Sequence, residues 1–187
     1  GTYPVVRKIG WLDRKNTAED LSRDVFSTFP GLTQMLPFQG HFDTVDLYDL
    51  ANWPEASKGY APRKEILRDT PKAQQSLAPG DERMFMVAGV DQQTVVGLRL
   101  PEDGSKQFLY EMSTEGDGTV PLQFARLPGV RATYYISESH GSLPNNAIVA
   151  GAVLDLLEKD TTAALADSYE RPVERRRLPV RAGLFPR

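Results

Sequence analysis

The sequence lacks cysteine and has only two histidines. The absence of cysteine excludes disulfide bonds, thiolate metal sites and a cysteine nucleophile, and it leaves the cellular compartment open. No H-E-x-x-H motif is present, so zinc ligands at a useful spacing are too few. We therefore expect neither a catalytic metal nor a cofactor.

Long apolar runs and a large net charge are also missing. No apolar run approaches the roughly 20 residues that span a bilayer, and no signal peptide is recognisable. The net charge is only -3, which gives no bulk attraction to nucleic acids or membrane surfaces. We therefore expect no nucleic-acid partner and no transmembrane segment. The 40% of hydrophobic residues is enough for a core in one domain, or in a small domain with an appendage.

Residues 1–80 are predicted to be mainly helical and are interpreted as a cap or lid region. Apolar residues recur at helical spacing within residues 5–36. Asn16 or Thr17 is the candidate N-cap of the second helix in that segment. Residues 61–78 are predicted to form another helix.

The pattern changes after residue 80. Short apolar or β-branched runs are typical of buried strands, and paired strands around Asp103-Gly104 are typical of a hairpin. We predict core strands at residues 84–90 and 132–136 and a hairpin between them at residues 94–112. A closing helix is predicted at residues 145–158. This α/β order predicts that residues 81–160 are the C-terminal portion of a doubly wound sheet, preceded by the helical cap.

Residues 161–187 form an Arg- and Pro-rich tail. Six arginines fall within the last 20 residues. We predict an extended tail or interdomain linker. The alternative is an arm that binds another domain or an anionic surface.

The strongest chemical signal joins Asp117, in a Gly-rich turn, to His140, which follows 23 residues later between a predicted strand and a predicted helix. A neutral imidazole can take the proton of an attacking serine. A carboxylate on the other ring nitrogen fixes the histidine tautomer and stabilises the imidazolium. We predict that the two side chains touch, at the C-terminal ends of adjacent strands. The alternative is an ordinary Asp-Gly turn and an ordinary polar histidine.

Other polar residues are weaker candidates. Asp91 follows the first core strand and is a rival acid, although no Gly-rich turn surrounds it. His41 is interpreted as a structural cap residue, with substrate contact as the alternative. Asp43, Asp46 and Asp49 lack the ligand spacing and central glycine of a calcium loop, so we interpret them as polar cap surface.

The G-D-G-T-V-P run at 116–121, the S-H-G-S-L run at 139–143 and the helix after it resemble the lecithin:cholesterol acyltransferase-like branch of the α/β-hydrolases, which includes lipases and esterases. Residues 25–53 resemble the cap region of that family. The resemblance implies an α/β-hydrolase fold, an ester or lipid-like substrate, Asp117 as the triad acid and His140 as the general base.

The chain departs from the family pattern because it contains no G-x-S-x-G, the motif that exposes the nucleophilic serine. We therefore interpret it as the C-terminal part of a serine ester hydrolase or acyltransferase. The nucleophile and the first oxyanion loop would lie in an N-terminal half, which becomes the expected partner. The isolated chain is expected to be inactive. The alternative is a non-catalytic, hydrolase-like interaction or scaffold module of a multidomain protein.

Overall fold

The computed structural model describes residues 15–42, 44–53, 61–104, 108–170 and 178–180. It shows a mixed α/β protein with parallel and antiparallel strands. The described residues divide into two compact units. The first contains residues up to Leu77 and residues 98–109, and the second contains residues 78–97 and those from Tyr110 onward.

The first unit begins with helix α1, Ala18–Asp24, which starts at Thr17. The Thr17 hydroxyl accepts a hydrogen bond from the Asp20 backbone N–H at 3.1 Å, and the Asp20 carboxylate accepts one from the Thr17 N–H at 3.0 Å. This reciprocal capping satisfies backbone donors at the helix start and confirms Thr17 as the cap. A 3₁₀ turn, Phe26–Thr28, and helix α2, Pro30–Gln34, follow.

Helix α3, Lys64–Gln75, confirms the helix predicted for this segment. Its buried Gln74 donates to the backbone carbonyls of Gln34 (3.1 Å) and Leu36 (2.7 Å), and accepts from the Tyr48 hydroxyl (2.9 Å). A buried amide with partners on both sides avoids the cost of unsatisfied polar groups. Gln74 thus ties α3 to the turn that follows α2.

The second unit is built around a parallel strand pair. Strand β1, Phe85–Val90, pairs with β4, Ala132–Ser137. A short helix α4, Leu122–Ala125, lies between them in the chain. Helix α5, Ala147–Lys159, follows β4 and buries Leu156 in one core cluster with Tyr134. Both predicted core strands and the predicted closing helix are confirmed.

The hairpin region forms a second sheet of three strands: β2, Thr94–Arg99, β3, Leu109–Ser113, and β5, Leu178–Val180. They lie in the order β2-β3-β5, and β5 runs antiparallel to β3. Gly104, between β2 and β3, has φ +74°, a conformation that glycine adopts without steric cost. The strands predicted around this turn are therefore confirmed.

The packed structure continues past residue 160, where the sequence predicted the tail to begin. Leu165 is buried against Tyr134. The Tyr135 N–H donates to the Ala166 carbonyl at 2.8 Å, and the Tyr169 ring stacks on Tyr135 at 5.9 Å between centroids. Residues 171–177 and 181–187 of the predicted tail lie outside the described residues, as do the first ten residues of the helical segment predicted from residue 5.

Across the described ranges, no helix combines the length and the apolar character needed to cross a membrane.

Candidate active site

The loop that carries Asp117 lies against the carboxyl end of β1. Gln92, just after β1, forms a parallel bridge with Asp117, and its N–H donates to the Gly116 carbonyl at 3.0 Å. The Asp91 N–H donates to the Thr114 carbonyl at 2.9 Å. These backbone contacts place the acid at the end of a buried strand, where a rigid element fixes its position.

Thr94, at the start of β2, holds the loop that carries Asp117 through hydrogen bonds of its hydroxyl. Its side chain is fully buried, and its hydroxyl donates to the Gln92 carbonyl and accepts from the Gly118 N–H, both at 2.8 Å. Gly118 has φ +87°. A Cβ at Gly116 would lie only 2.6 Å from the Thr94 hydroxyl oxygen. The two glycines are therefore required by a positive φ and by close packing respectively.

Asp117 and His140 touch. The Asp117 Oδ2 lies 2.8 Å from the His140 ring Nδ1. The backbone N–H of His140 also donates to the backbone carbonyl of Asp117 at 2.8 Å. The Asp117 Oδ1 accepts from the N–H groups of Thr119 (2.9 Å) and Val120 (2.7 Å). An ionised carboxylate can only accept a hydrogen bond. With Asp117 in that form, the contact requires a proton on Nδ1, and Nε2 of a neutral ring is then an acceptor. The predicted contact is confirmed.

Burial differs across this pair. The Asp117 side chain is 6% exposed, whereas the His140 side chain is 54% exposed. A buried carboxylate behind a half-exposed imidazole is the arrangement that a general base needs, because the ring must meet both its orienting acid and a reactant.

The two loops reach this contact from strands that are not neighbours. β3 precedes Asp117 but lies in the three-stranded sheet, whereas β4, which precedes His140, pairs with β1. The prediction that adjacent strands carry the two residues is therefore wrong. The acid loop crosses instead to the end of β1, which is the neighbour of β4.

Gly89 on β1 allows the loops that carry Asp117 and His140 to approach the strand closely. A Cβ at this position would lie 2.6 Å from the Asp117 Cβ and 2.6 Å from the Glu138 carbonyl oxygen. Sequence reasoning missed both Gly89 and Thr94. An isolated glycine within a strand signals close backbone approach, so Gly89 could have been found. No local pattern distinguishes Thr94 from other strand threonines.

The rival acid has another partner. The Asp91 carboxylate accepts from the Tyr169 hydroxyl at 3.2 Å. The serines beside His140 bond one another, with 2.9 Å between the hydroxyl oxygens of Ser139 and Ser142. Neither serine lies in a strand–turn–helix elbow of the kind that exposes a nucleophile.

The candidates in the first unit have structural surroundings. The His41 ring packs edge-on against Phe42, with centroids 5.0 Å apart, and helps to line a small cleft. The carboxylates of Asp46 and Asp49 accept from backbone N–H groups two residues on, at 2.8 and 2.9 Å, as in ordinary Asx turns. Asp43 lies outside the described residues. Within the described ranges, no cluster of three or more His, Asp or Glu side chains is placed to hold a metal ion.

Comparison with known proteins found no matching family model, no matching curated protein and no matching solved structure.

Replacing Thr94 with valine is expected to lower the free energy of unfolding by about 1–2 kcal/mol. The variant keeps the side-chain shape but removes the hydrogen bonds to Gly118 and Gln92, each worth about 1 kcal/mol. Urea unfolding measures the change. Thr94→Ser retains the hydroxyl and is the matched control. Destabilisation by Ser but not by Val would show that the methyl group, rather than the hydroxyl, matters.

Proposed function

We propose that this chain is the C-terminal part of a serine ester hydrolase or acyltransferase of the α/β-hydrolase type. In this proposal Asp117 is the triad acid and His140 the general base. The observation that carries it is the 2.8 Å contact between a buried, backbone-bonded carboxylate and a half-exposed imidazole. The nucleophilic serine belongs to a partner segment. We call this chain together with that segment the complete protein.

The chemistry uses both nitrogens of His140. As the serine oxygen attacks the ester carbonyl, its proton moves to Nε2, and Asp117 stabilises the resulting imidazolium through Nδ1–H. The tetrahedral intermediate then collapses, and the same proton passes from Nε2 to the departing alkoxide. In the deacylation half of the reaction, water or another hydroxyl gives its proton to Nε2 and attacks the acyl-enzyme. The proton returns to the serine oxygen as the ester bond to the enzyme breaks.

The sequence and the architecture of the second unit support an N-terminal partner. A parallel pair followed by a helix is what the end of a doubly wound sheet contains, and among the described strands β1 pairs with β4 alone. Helix α5 also leaves Leu154 61% and Leu157 78% exposed. The edge of β1 away from β4, where no described strand pairs, and the exposed leucines of α5 each favour burial against another segment.

An ester or lipid-like substrate is proposed from the resemblance of the acid and histidine segments to lipases and esterases. Hydrolysis and acyl transfer differ only in whether water or another hydroxyl takes the acyl group.

The second candidate function is a non-catalytic interaction module. The exposed apolar residues of α5 favour it, and so does the lack of G-x-S-x-G in the 187 residues. The two functions differ in whether the partner carries a reactive serine.

Fluorophosphonate labelling of the complete protein separates these functions. We expect one labelled serine, placed by peptide mass mapping within a G-x-S-x-G outside this chain. His140→Ala should suppress the labelling, because the serine loses its base. His41→Ala is the matched control and should leave the labelling unchanged. A complete protein that takes no label would favour the interaction module.

A further inference from the structure

Glu138 lies two residues before His140, and its carboxylate closes the loop that carries the histidine. Oε1 accepts from the Ser139 backbone N–H at 2.7 Å, and Oε2 accepts from the Asn146 side-chain amide at 2.9 Å. Glu138 takes no part in the proton transfers described above. Its two oxygens instead join the two ends of residues 138–146.

Asn146 continues this connection into helix α5. Its side-chain oxygen accepts from the N–H groups of Ile148 (2.8 Å) and Val149 (3.2 Å), and so caps the helix. One amide therefore faces two ways, with its oxygen toward the helix and its NH₂ toward Glu138. The end of β4 and the start of α5 are thereby linked through side chains.

The hydrogen bonds from Asn146 and Ser139 lower the pKa of Glu138 below its ordinary value. The carboxylate is therefore ionised at neutral pH, and hydrogen bonds to an ionised acceptor are stronger than neutral ones.

A triad histidine must be held within about 0.5 Å of its productive geometry. The acid loop holds His140 on one side, through the backbone bond to Asp117. On the other side, the backbone N–H groups of Ser142 and Leu143 both donate to the Ser139 carbonyl at 3.0 Å and turn the exposed chain after His140. The Glu138–Asn146 contact joins the two ends of this turn.

We propose that Glu138 is a positioning residue that keeps His140 Nδ1 on Asp117 by holding residues 138–146 closed against α5. The inference rests on the proposed function, since it assigns a second layer to the same site. It differs from a role in helix capping alone, because the cap is made by the Asn146 oxygen and the positioning contact by its NH₂.

The test follows the hydrogen-bonded Nδ1 proton of His140 by proton NMR on the chain as it is. In the unmodified chain we expect a resolved, strongly downfield resonance. Glu138→Gln keeps an acceptor for Ser139 but turns a second NH₂ toward Asn146. Solvent exchange of the resonance should become roughly tenfold faster, the effect of losing one hydrogen bond to a charged group. Asp155→Asn removes a carboxylate elsewhere on α5, bonded to Lys159 and Thr162, and should change nothing.

A polarity swap gives a second, conservative variant. Combining Glu138→Gln with Asn146→Asp places a donor opposite an acceptor again, and aspartate still caps a helix well. The double variant should restore slow exchange. In the complete protein, Glu138→Gln should lower kcat with little change in KM, because it weakens a transition-state interaction.

Unchanged exchange in Glu138→Gln, or no recovery in the double variant, would overturn the positioning role and leave the proposed function standing. A downfield resonance missing from the unmodified chain would instead count against the Asp117–His140 pair itself. Circular dichroism and urea unfolding identify a variant that fails to fold. In that case Asn146→Ser, which keeps a capping hydroxyl but loses the NH₂, decides the question by the same exchange measurement.

Discussion

Replacing Asp117 with asparagine in the complete protein is expected to lower kcat for ester turnover by about four orders of magnitude. The substituted amide can still accept from the N–H groups of Thr119 and Val120, so the loop should keep its shape. Its NH₂ would face His140 Nδ1 at the present 2.8 Å contact and would require a lone pair there. The ring proton would then move to Nε2, which could no longer accept the serine proton. Steady-state kinetics with a p-nitrophenyl ester measure the change.

Asp91→Asn is the matched control for this prediction. It makes the same chemical change in the rival acid, whose carboxylate bonds the Tyr169 hydroxyl. We expect kcat to stay within a few-fold of the unmodified value. His140→Ala should cost still more than Asp117→Asn, on the order of 10⁶-fold, as removal of a triad base does. A larger loss from Asp91→Asn than from Asp117→Asn would show that the acid has been misassigned.

The Asp117–His140 contact could be predicted from the sequence because its signals are local. A Gly-rich turn around the acid, an intervening strand pattern and a helix after the histidine all lie within about 40 residues. The chain order of an α/β-hydrolase triad, with the acid before the histidine, then indicates which acid pairs with His140. The same local patterns predicted β1, β4 and α5, since apolar spacing reflects the faces that these elements bury.

The supports of this contact could not be predicted, because they depend on tertiary neighbours. Thr94 reaches Gly118 across 24 positions, and nothing in the surrounding residues marks its hydroxyl as a fastening point. The Glu138–Asn146 pair is closer in sequence, but its function depends on which way each side chain turns. The orientations of these side chains are set by tertiary packing, which patterns in a single sequence do not predict.

Residues 161–170 illustrate a different limit. Arginine and proline near the end of the chain favour an extended tail, and this average composition concealed Leu165. The apolar residues of this segment are mostly alanines, which form too short a run to mark Leu165 as buried. Leu165 nevertheless lies in one core cluster with Tyr134 and Leu156, and the Tyr169 hydroxyl bonds Asp91. Burial here depends on tertiary neighbours that the composition of the segment does not reveal.

The isolated 187-residue chain is expected to show no triad-dependent ester turnover. It contains no G-x-S-x-G, so neither the serine nor the N–H that follows it is supplied to the oxyanion hole. One such donor alone is worth about 10²–10³-fold in kcat, and losing it together with the nucleophile should remove measurable activity. Adding the segment that carries the serine should restore turnover.

Reconstitution with variants of the acid and of the exposed side of α5 tests this expectation. The unmodified chain mixed with the serine-bearing segment should turn over a p-nitrophenyl ester, whereas Asp117→Asn mixed with the same segment should not. Leu154→Asp and Leu157→Asp should weaken the restoration of activity, because each would place a carboxylate on the exposed apolar side of α5 that the partner is proposed to cover. Asp155→Asn is the matched control on the same helix and should assemble normally. Turnover by the isolated chain that disappears on Ser142→Ala would instead place the nucleophile beside His140, and the assignment of a partner serine would then be wrong.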